Sequence, residues 1–445
     1  MPQAASYDEA NKPEFRERAK SEFNARHEMI KRNRRQYDGH HTLPLKARRG
    51  NNDNVILNWN KQHVDAMLAF LMPYMPTIEL DENDTTDDEK LISSTWDANG
   101  DASLLYTLAL YGSLCGQIYA VLTEDDPVRI VPIDPDLIVS WVDESDNGRV
   151  LWYEQQWGMI EGDDSRVWRK DTVPIRNAQD EIIRWEELIY RREGGEWKDT
   201  GDGYVWDYPL SPIVAASHMP RPGDYYGASE LTPDLIALND SGNYVASLIN
   251  RILRFHSFPR PYLFGATLSE DAKRTEPGGM IDGLPIEARI DTIELQSDLA
   301  SSRAHLIDLR NTYFRQARVI MPPGEIEAFK GVTILGIKAT YMPMIMKNEI
   351  LRRQYSQLIK GITRRILMLN GRDYDVNPVI EWGNALPIDE VAELQIIQAQ
   401  VALGMSKQTA FERLGLDYER ERERVLMEAI QDNVLVSGFP VGVSG

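Results

Sequence analysis

Residues 298–371 run DLASSRAHLIDLRNTYFRQARVIMPPGEIEAFKGVTILGIKATYMPMIMKNEILRRQYSQLIKGITRRILMLNG, and the layout of that stretch decides the fold. In its first part Leu306, Leu309, Tyr313, Ala317 and Ile320 recur at steps of three and four, the spacing of one helical face. Ser301 and Ser302 are of the type that caps a helix start. Met321-Pro322-Pro323-Gly324 ends that helix, because proline lacks an amide donor and disfavours a helical residue before it. A mixed segment, Glu325 to Gly331, precedes a second periodic run with Leu351, Tyr355, Leu358, Ile362, Ile366 and Leu369 on one face. Pro343 is expected to kink this second helix rather than end it, and Asn370-Gly371 to close it.

Upstream, Thr232-Pro233-Asp234 opens another strong helix, with a cap, a first-turn proline and an acid at the positive end of the dipole. Leu235, Leu238, Val245, Leu248, Ile249, Ile252 and Leu253 give it an apolar face. Pro259 and Pro261 stop it. Short strands at Arg260–Phe264 and Ile290–Leu295 follow, with a Gly278-Gly279 turn between them. Two long helices thus flank a small module, and an antiparallel pair carrying that module at its tip is the simplest geometry.

Earlier still, residues 1–50 are charged. Phe15, Ala19, Phe23 and Met29-Ile30 mark a helix with a thin apolar stripe, broken by the basic cluster Lys31–Arg35. Val55–Pro76 is helical up to its prolines and feeds a short strand at Thr77–Leu80. The acidic runs at Asp81–Glu89 and Asp97–Asp101 fail as calcium loops, lacking the glycine and the final carboxylate. Leu91–Leu114 is mainly helical. Between Gln117 and Ser217 the period changes to two, with strands at Ile118–Leu122, Val128–Val131, Leu137–Val142, Val150–Tyr153 and Ile182–Tyr190, separated by turns such as Asp146–Gly148 and Gly201–Gly203. Seven of the ten tryptophans fall between Trp141 and Trp206, where they fill an antiparallel meander. After Gly371, Val391, Leu394, Ile397 and Val401 form a helix ending at Gly404, and Ser406 caps another. The fold class is α+β.

The chain has 445 residues, 42% of them hydrophobic, enough for a sizeable core. Its net charge of −20 argues against a tight, enveloping DNA binder. Cys115 is its single cysteine, so no disulfide forms within the chain and no thiolate zinc site exists. No signal-peptide core or membrane-length apolar run is present. The phosphate loop, the HExxH pair, the nucleophile elbow and the dinucleotide fingerprint are all missing. His40-His41 stands without a carboxylate or cysteine pattern. No cofactor, metal or catalytic residue is assigned, and the expectation is a protein that is not an enzyme.

The order of these elements resembles the portal, or head-to-tail connector, proteins of tailed double-stranded-DNA phages. The residues carrying the resemblance are Tyr226-Gly-Ala-Ser-Glu-Leu231 running into the first long helix, Met321–Gly324, Asn348–Tyr355 in the kinked helix, Trp382–Asp389 and Met405–Thr409. It spans roughly residues 50–435. No single motif is specific; their succession is.

Residues 1–50, outside the resemblance, read as a charged helical arm; the resemblance implies a mixed α/β wing at 51–230 and stem helices at 231–258 and 297–320. It implies a clip at 259–296, a tunnel loop at 321–332, a kinked wing helix and link at 333–383, and a helical crown and tail at 384–445. It implies a homo-oligomeric ring, usually a dodecamer, at one capsid vertex of the virion, made in the host cytoplasm. That ring is the channel for DNA packaging and ejection. Its partners are double-stranded DNA, the terminase large subunit, head-tail adaptors, and major capsid and scaffold proteins, with no membrane. Glu325, Glu327, Phe329 and Lys330 are then the tunnel-loop residues facing DNA or neighbouring loops. Arg303, Arg310, Arg315 and Arg318 face the channel or pair between subunits. The rival readings are a metal-dependent nuclease and a virion structural protein without a channel.

Overall fold

A computed structural model of the chain describes residues 3–4, 6–46, 52–80, 86–146, 148–161, 164–194, 196–257, 261–264, 289–292, 299–321 and 334–384, and isolated positions from 398 to 424. Two compact units result, Met1–Ala385 and Leu386–Gly445. The first begins with β1 (Gln3–Ala4), α1 (Tyr7–Ala10), α2 (Pro13–Tyr37), α3 (Trp59–Leu71), β2 (Thr77–Glu79), α4 (Thr86–Ala98) and α5 (Ala102–Cys115). Strands then dominate: β3 (Gln117–Thr123), β4 (Arg129–Ile133), β5 (Ile138–Asp143), β6 (Val150–Glu161), β7 (Asp164–Arg176), β8 (Ile182–Glu193), β9 (Glu196–Trp206), β10 (Ile213–Ser217), β11 (Met219–Arg221) and β12 (Asp224–Ala228). Last come α6 (Pro233–Ser257), β13 (Pro261–Phe264), β14 (Arg289–Thr292), α7 (Leu299–Ala317), α8 (Ile334–Leu369) and β15 (Val379–Glu381).

The antiparallel meander is larger than the apolar alternation predicts. Its order is β1-β5-β6-β7-β8-β9, with β1 parallel to β5 and the other pairs antiparallel. Trp141 and Trp152 stack at 4.8 Å, and Phe15, Ala19 and Phe23 of α2 pack over them. The strand β7 lacks a simple apolar period because Arg169, Asp171 and Thr172 occupy buried positions. Arg169 pairs with Asp171 and with Glu154 of β6, and Arg16 of α2 pairs with Glu154. Gly201–Gly203, expected as a turn, lies inside β9. With Gly201 at φ 72° and a register shift opposite Leu188–Tyr190, it is a bulge.

Two helical expectations also change. The basic cluster Lys31–Arg35 does not break α2, because that turn is held in the body: Asn33 donates to the Leu114 carbonyl at 2.9 Å and Arg34 pairs with Asp134. The run Leu91–Leu114 is two helices, α4 and α5, split where Gly100 and Asp101 adopt positive φ.

A second sheet, β10-β3-β4, joins the first through the cluster Tyr119, Ile133, Ile138, Tyr153 and Ile213. Helix α8 packs against β10 and buries Leu351, Tyr355, Leu358, Ile362 and Ile366, the face its periodicity predicts. It continues through Pro343 and closes at Gly371, φ 65°. Its last turn sets Met368 against Trp185 and Trp206.

Helix α6 is where apolar periodicity points to the wrong row. Its most deeply buried residues are Asn239, Asn243 and Ser247, four apart and fully buried. They bind the backbone of an extended segment, residues 53–58, and of the first turn of α3. Asn239 Oδ1 accepts from the amides of Trp59 (2.8 Å) and Asn60 (3.2 Å), while its Nδ2 donates to the Leu57 carbonyl. Asn243 Oδ1 accepts from the Leu57 amide, Ser247 Oγ from the Val55 amide, and Asn250 Nδ2 donates to the Asp53 carbonyl. Gly242 leaves room for the Trp59 indole; a Cβ there would lie 2.3 Å from the ring.

Helix α7 packs on α6, and β13 pairs antiparallel with β14. The predicted caps Ser301 and Ser302 sit inside α7, which begins at Leu299. It ends at Ala317, before the proline pair: Arg318 takes φ 55° and the Val319 amide reaches back to the Phe314 carbonyl, so Ile320 is beyond the helix. In the second unit Gly404, φ 108°, follows a helical turn, and Ser406 Oγ accepts from the Thr409 amide as a cap. Gly278-Gly279, Val391, Leu394 and Ile397 lie outside the described residues.

Candidate channel and subunit-contact face

In this chain of net charge −20, α7 is a basic element, with Arg303, His305, Arg310 and Arg315 against the single acid Asp308. Its inner side is Tyr313, Phe314 and Ala317, which are buried. The four arginines assigned from the sequence are all exposed. At about 100° per residue, Arg303, Ile307 and Arg310 share one row, whereas Arg315 is turned about a third of a turn away. Arg310 lies over the Phe314 ring at 5.2 Å. Arg318 is not on the helix but is the left-handed residue after it. The structure therefore groups Arg303 with Arg310 and separates Arg315 and Arg318. Glu325, Glu327, Phe329 and Lys330 lie outside the described residues.

Large apolar side chains also face outward. Ile307 on α7 is 57% exposed and Met346 on α8 is 63% exposed. Met342, Met346 and Ile350, each four apart, form an exposed apolar row along α8, opposite in character to the buried Met344, Leu351 and Tyr355. Tyr244 on α6 is likewise exposed. Rows of this kind on long helices are surfaces that a partner covers.

Behind α7 lies a buried polar cluster that sequence reading does not anticipate. Glu230, just before α6, has both carboxylate oxygens occupied. His218 Nε2 lies 3.1 Å from Oε1, His63 Nε2 of α3 lies 2.9 Å from Oε2, and Lys347 Nζ of α8 also bonds Oε2. The Tyr355 hydroxyl lies 2.8 Å from His218 Nδ1. The Tyr313 hydroxyl of α7 donates to Asn60 Oδ1 at 2.8 Å. Burial pushes the Glu230 carboxyl up, but the Lys347 ammonium and the two imidazoles outweigh it and hold it well below the usual range. Burial, aided by Lys347 and His218, outweighs the pull of the Glu230 carboxylate and pushes the His63 imidazole down. Glu230 therefore carries charge and His63 is neutral at pH 7. The one cue in the sequence is Tyr226–Leu231, whose glutamate precedes a capped helix; His63, His218 and Lys347 are too far apart in the chain to suggest one another.

Among the described residues no group of three or more His, Cys, Asp or Glu side chains is placed to hold a metal ion. Among them, too, no helix is long and apolar enough to cross a membrane.

No family model matches the chain. A stretch of 196 residues, 42% of the chain, is 24% identical to the portal protein of Mycobacterium phage L5 and spans 37% of that protein's length. Among solved structures, one chain from the neck of an empty gene transfer agent particle is 12% identical, with a TM-score of 0.47 over 82% of this chain and 90% of that one. A chain from the neck of the native particle is 12% identical, with a TM-score of 0.45 over the same shares. The resemblance to phage portal proteins, first drawn from the order of elements, thus extends to a direct sequence match with one of them.

Proposed function

We propose that this chain is the subunit of a portal ring: a non-enzymatic virion component that conducts double-stranded DNA during packaging and ejection. The observation that carries the reading is the sequence match to the mycobacteriophage portal protein. The exposed rows on α7 and α8 support it, since a heterologous, closed assembly buries such rows against the next copy. In this reading α6 and α7 form the stem, residues 321–332 the tunnel loop, and Glu325, Glu327, Phe329 and Lys330 meet DNA or neighbouring loops. Arg303 and Arg310, on one row, face either phosphates or an adjacent subunit. A duplex must slide without sticking, and each neutralised phosphate adds salt-dependent affinity. An acidic body with few basic side chains at the constriction meets that need. The clip is the docking site for terminase and then for tail adaptors.

Electron microscopy of the purified protein with native mass measurement tests this. Rings with an axial hole and a mass near twelve times 50.8 kDa are expected. A monodisperse monomer or dimer across salt and protein concentration overturns the proposal, and magnesium-dependent DNA cleavage would replace it with a nuclease.

A further inference from the structure

The buried cluster around Glu230 has a geometry that a merely satisfied core does not require. Lys347 Nζ bonds the Glu230 carboxylate and also donates to the Ala317 carbonyl at 2.9 Å. Ala317 is the last residue of α7, and its carbonyl is one of the acceptors that a helix end leaves without an intrahelical donor. An ammonium there also faces the negative end of the helix dipole. One side chain of α8 therefore joins the end of α7 to the residue that introduces α6.

Each partner is fixed from behind. The Glu230 amide donates to the Ser113 carbonyl at 2.8 Å, and the neighbouring Ser229 hydroxyl donates to the same carbonyl. The approach of that strand end depends on Gly227, at φ 71°, where a Cβ would lie 2.6 Å from the Met219 carbonyl oxygen. His218 is set by Tyr355, whose hydroxyl lies so close to Gly112 of α5 that a Cβ there would be 2.6 Å from it. The carboxylate accepts from two imidazoles and one ammonium, so it has no free direction in which to swing. Replacing a buried ion pair by apolar residues of similar volume is often neutral or stabilising, so a gain in stability does not by itself account for the pair. The need for such a hold is visible next door: Arg318 leaves the helix in the left-handed region, which L-residues avoid.

We infer that Glu230 and Lys347 form a buried clamp that fixes the C-terminal end of α7 against α6 and α8, with Glu230 the positioning residue that orients the Lys347 ammonium onto Ala317. In the proposed ring this sets the point from which the chain leaves the stem toward the lumen; that meaning rests on the portal reading, whereas the clamp itself does not.

Native-state hydrogen exchange of the full chain tests it, with wild type compared to Lys347→Met, Glu230→Gln and the double variant. Lys347→Met strands the Glu230 charge and is expected to lower the melting temperature. The double variant removes both charges at nearly constant volume and is expected to regain most of that loss. Even so, its amides over 314–319 should exchange about tenfold faster, the factor one charge-assisted hydrogen bond supplies, while those of α5 stay as in wild type. If the double variant restores wild-type protection over 314–319, Lys347 only neutralises Glu230 and the clamp is wrong. A uniform rise across the first unit also overturns it. Should the double variant not fold, Glu230→Gln alone decides: the same local rise over 314–319 supports the clamp and its absence rejects it. Exchange is read whether or not rings form, so failure here leaves the portal reading to be judged by ring mass alone.

Discussion

Asn239→Leu isolates what the polar row of α6 does. The side chain is fully buried and makes three hydrogen bonds to backbone about 180 residues away in sequence. Two of those bonds satisfy amides of the first turn of α3, Trp59 and Asn60; Asn58 satisfies the next, Lys61, as the cap. Leucine has the same branching and number of heavy atoms, so the side-chain shape is kept while two amides and the Leu57 carbonyl lose their partners. At about 1–3 kcal/mol for each of the two buried amides left unsatisfied, the loss is about 2–6 kcal/mol, to which the part-buried Leu57 carbonyl adds. Asn239→Asp is the control. It keeps the acceptor for both amides and places a negative charge at the positive end of α3, but loses the bond to Leu57. Its loss should be well under that of the leucine variant. Urea unfolding followed by tryptophan fluorescence gives both values against wild type, Trp59 being buried beside the site. A leucine variant within about 1 kcal/mol of wild type would refute the argument, because unsatisfied buried amides cannot cost so little.

Three further outcomes are expected. Gly242→Ala sets a Cβ 2.3 Å from the buried Trp59 indole and should cost about 1–3 kcal/mol by overpacking, read as a lower melting temperature. Met346→Glu with Ile350→Glu should leave melting of the isolated chain unchanged yet shift native mass from rings to about 50.8 kDa; rings that persist would show that this α8 row is not a subunit contact. Acidification should destabilise the fold in two steps. The groups facing His63 are Glu230, Lys347, His218 and Tyr313, from the approach to α6, from α8, from the β10–β11 link and from α7. His63 is pushed below its ordinary 6.5, so the unfolded chain takes the proton first, and stability present above pH 6.5 falls as pH drops below it. Glu230, held below its ordinary 4.5, adds a second loss as pH falls under that value. Melting curves from pH 8 to pH 4 check this, and His63→Gln should flatten the upper step alone.

The face of α8 is legible residue by residue, because Leu351, Tyr355, Leu358, Ile362 and Ile366 are apolar at helical spacing and pack against whatever lies opposite. The opening of α6 at Pro233-Asp234 is legible for the same local reason: a first-turn proline and a dipole-facing acid act within one turn. The inner row of α6 is not. Asn239, Asn243 and Ser247 are buried to serve backbone groups of residues 53–60, and nothing in a hydropathy pattern encodes a distant acceptor. The strand β7 is missed likewise, since its buried Arg169 and Asp171 read as surface until Arg16, Glu154 and Tyr7 are seen around them. Of the proposed channel residues, the arginines of α7 are legible as a basic helix, but only coordinates separate Arg303 and Arg310 from Arg315. The cluster at Glu230 draws on four separate stretches, so it exists only in the folded chain.

The bulge at Gly201 bears on how copies of this chain avoid one another. Among the described residues nothing pairs beyond β9, so the large sheet ends in an open edge. An open edge is a template for a neighbour's strand, a hazard that the proposed ring, with many copies in one place, would face acutely. Here the edge is kinked by Gly201, carries Asp199 and Asp202 on either side of the kink, and has Gly203 where a side chain would otherwise pack. A second such edge approaching it meets a bent backbone and like charges. Misassembly into sheet-linked aggregates is thereby disfavoured, which in the proposed ring leaves contacts between copies to the helices.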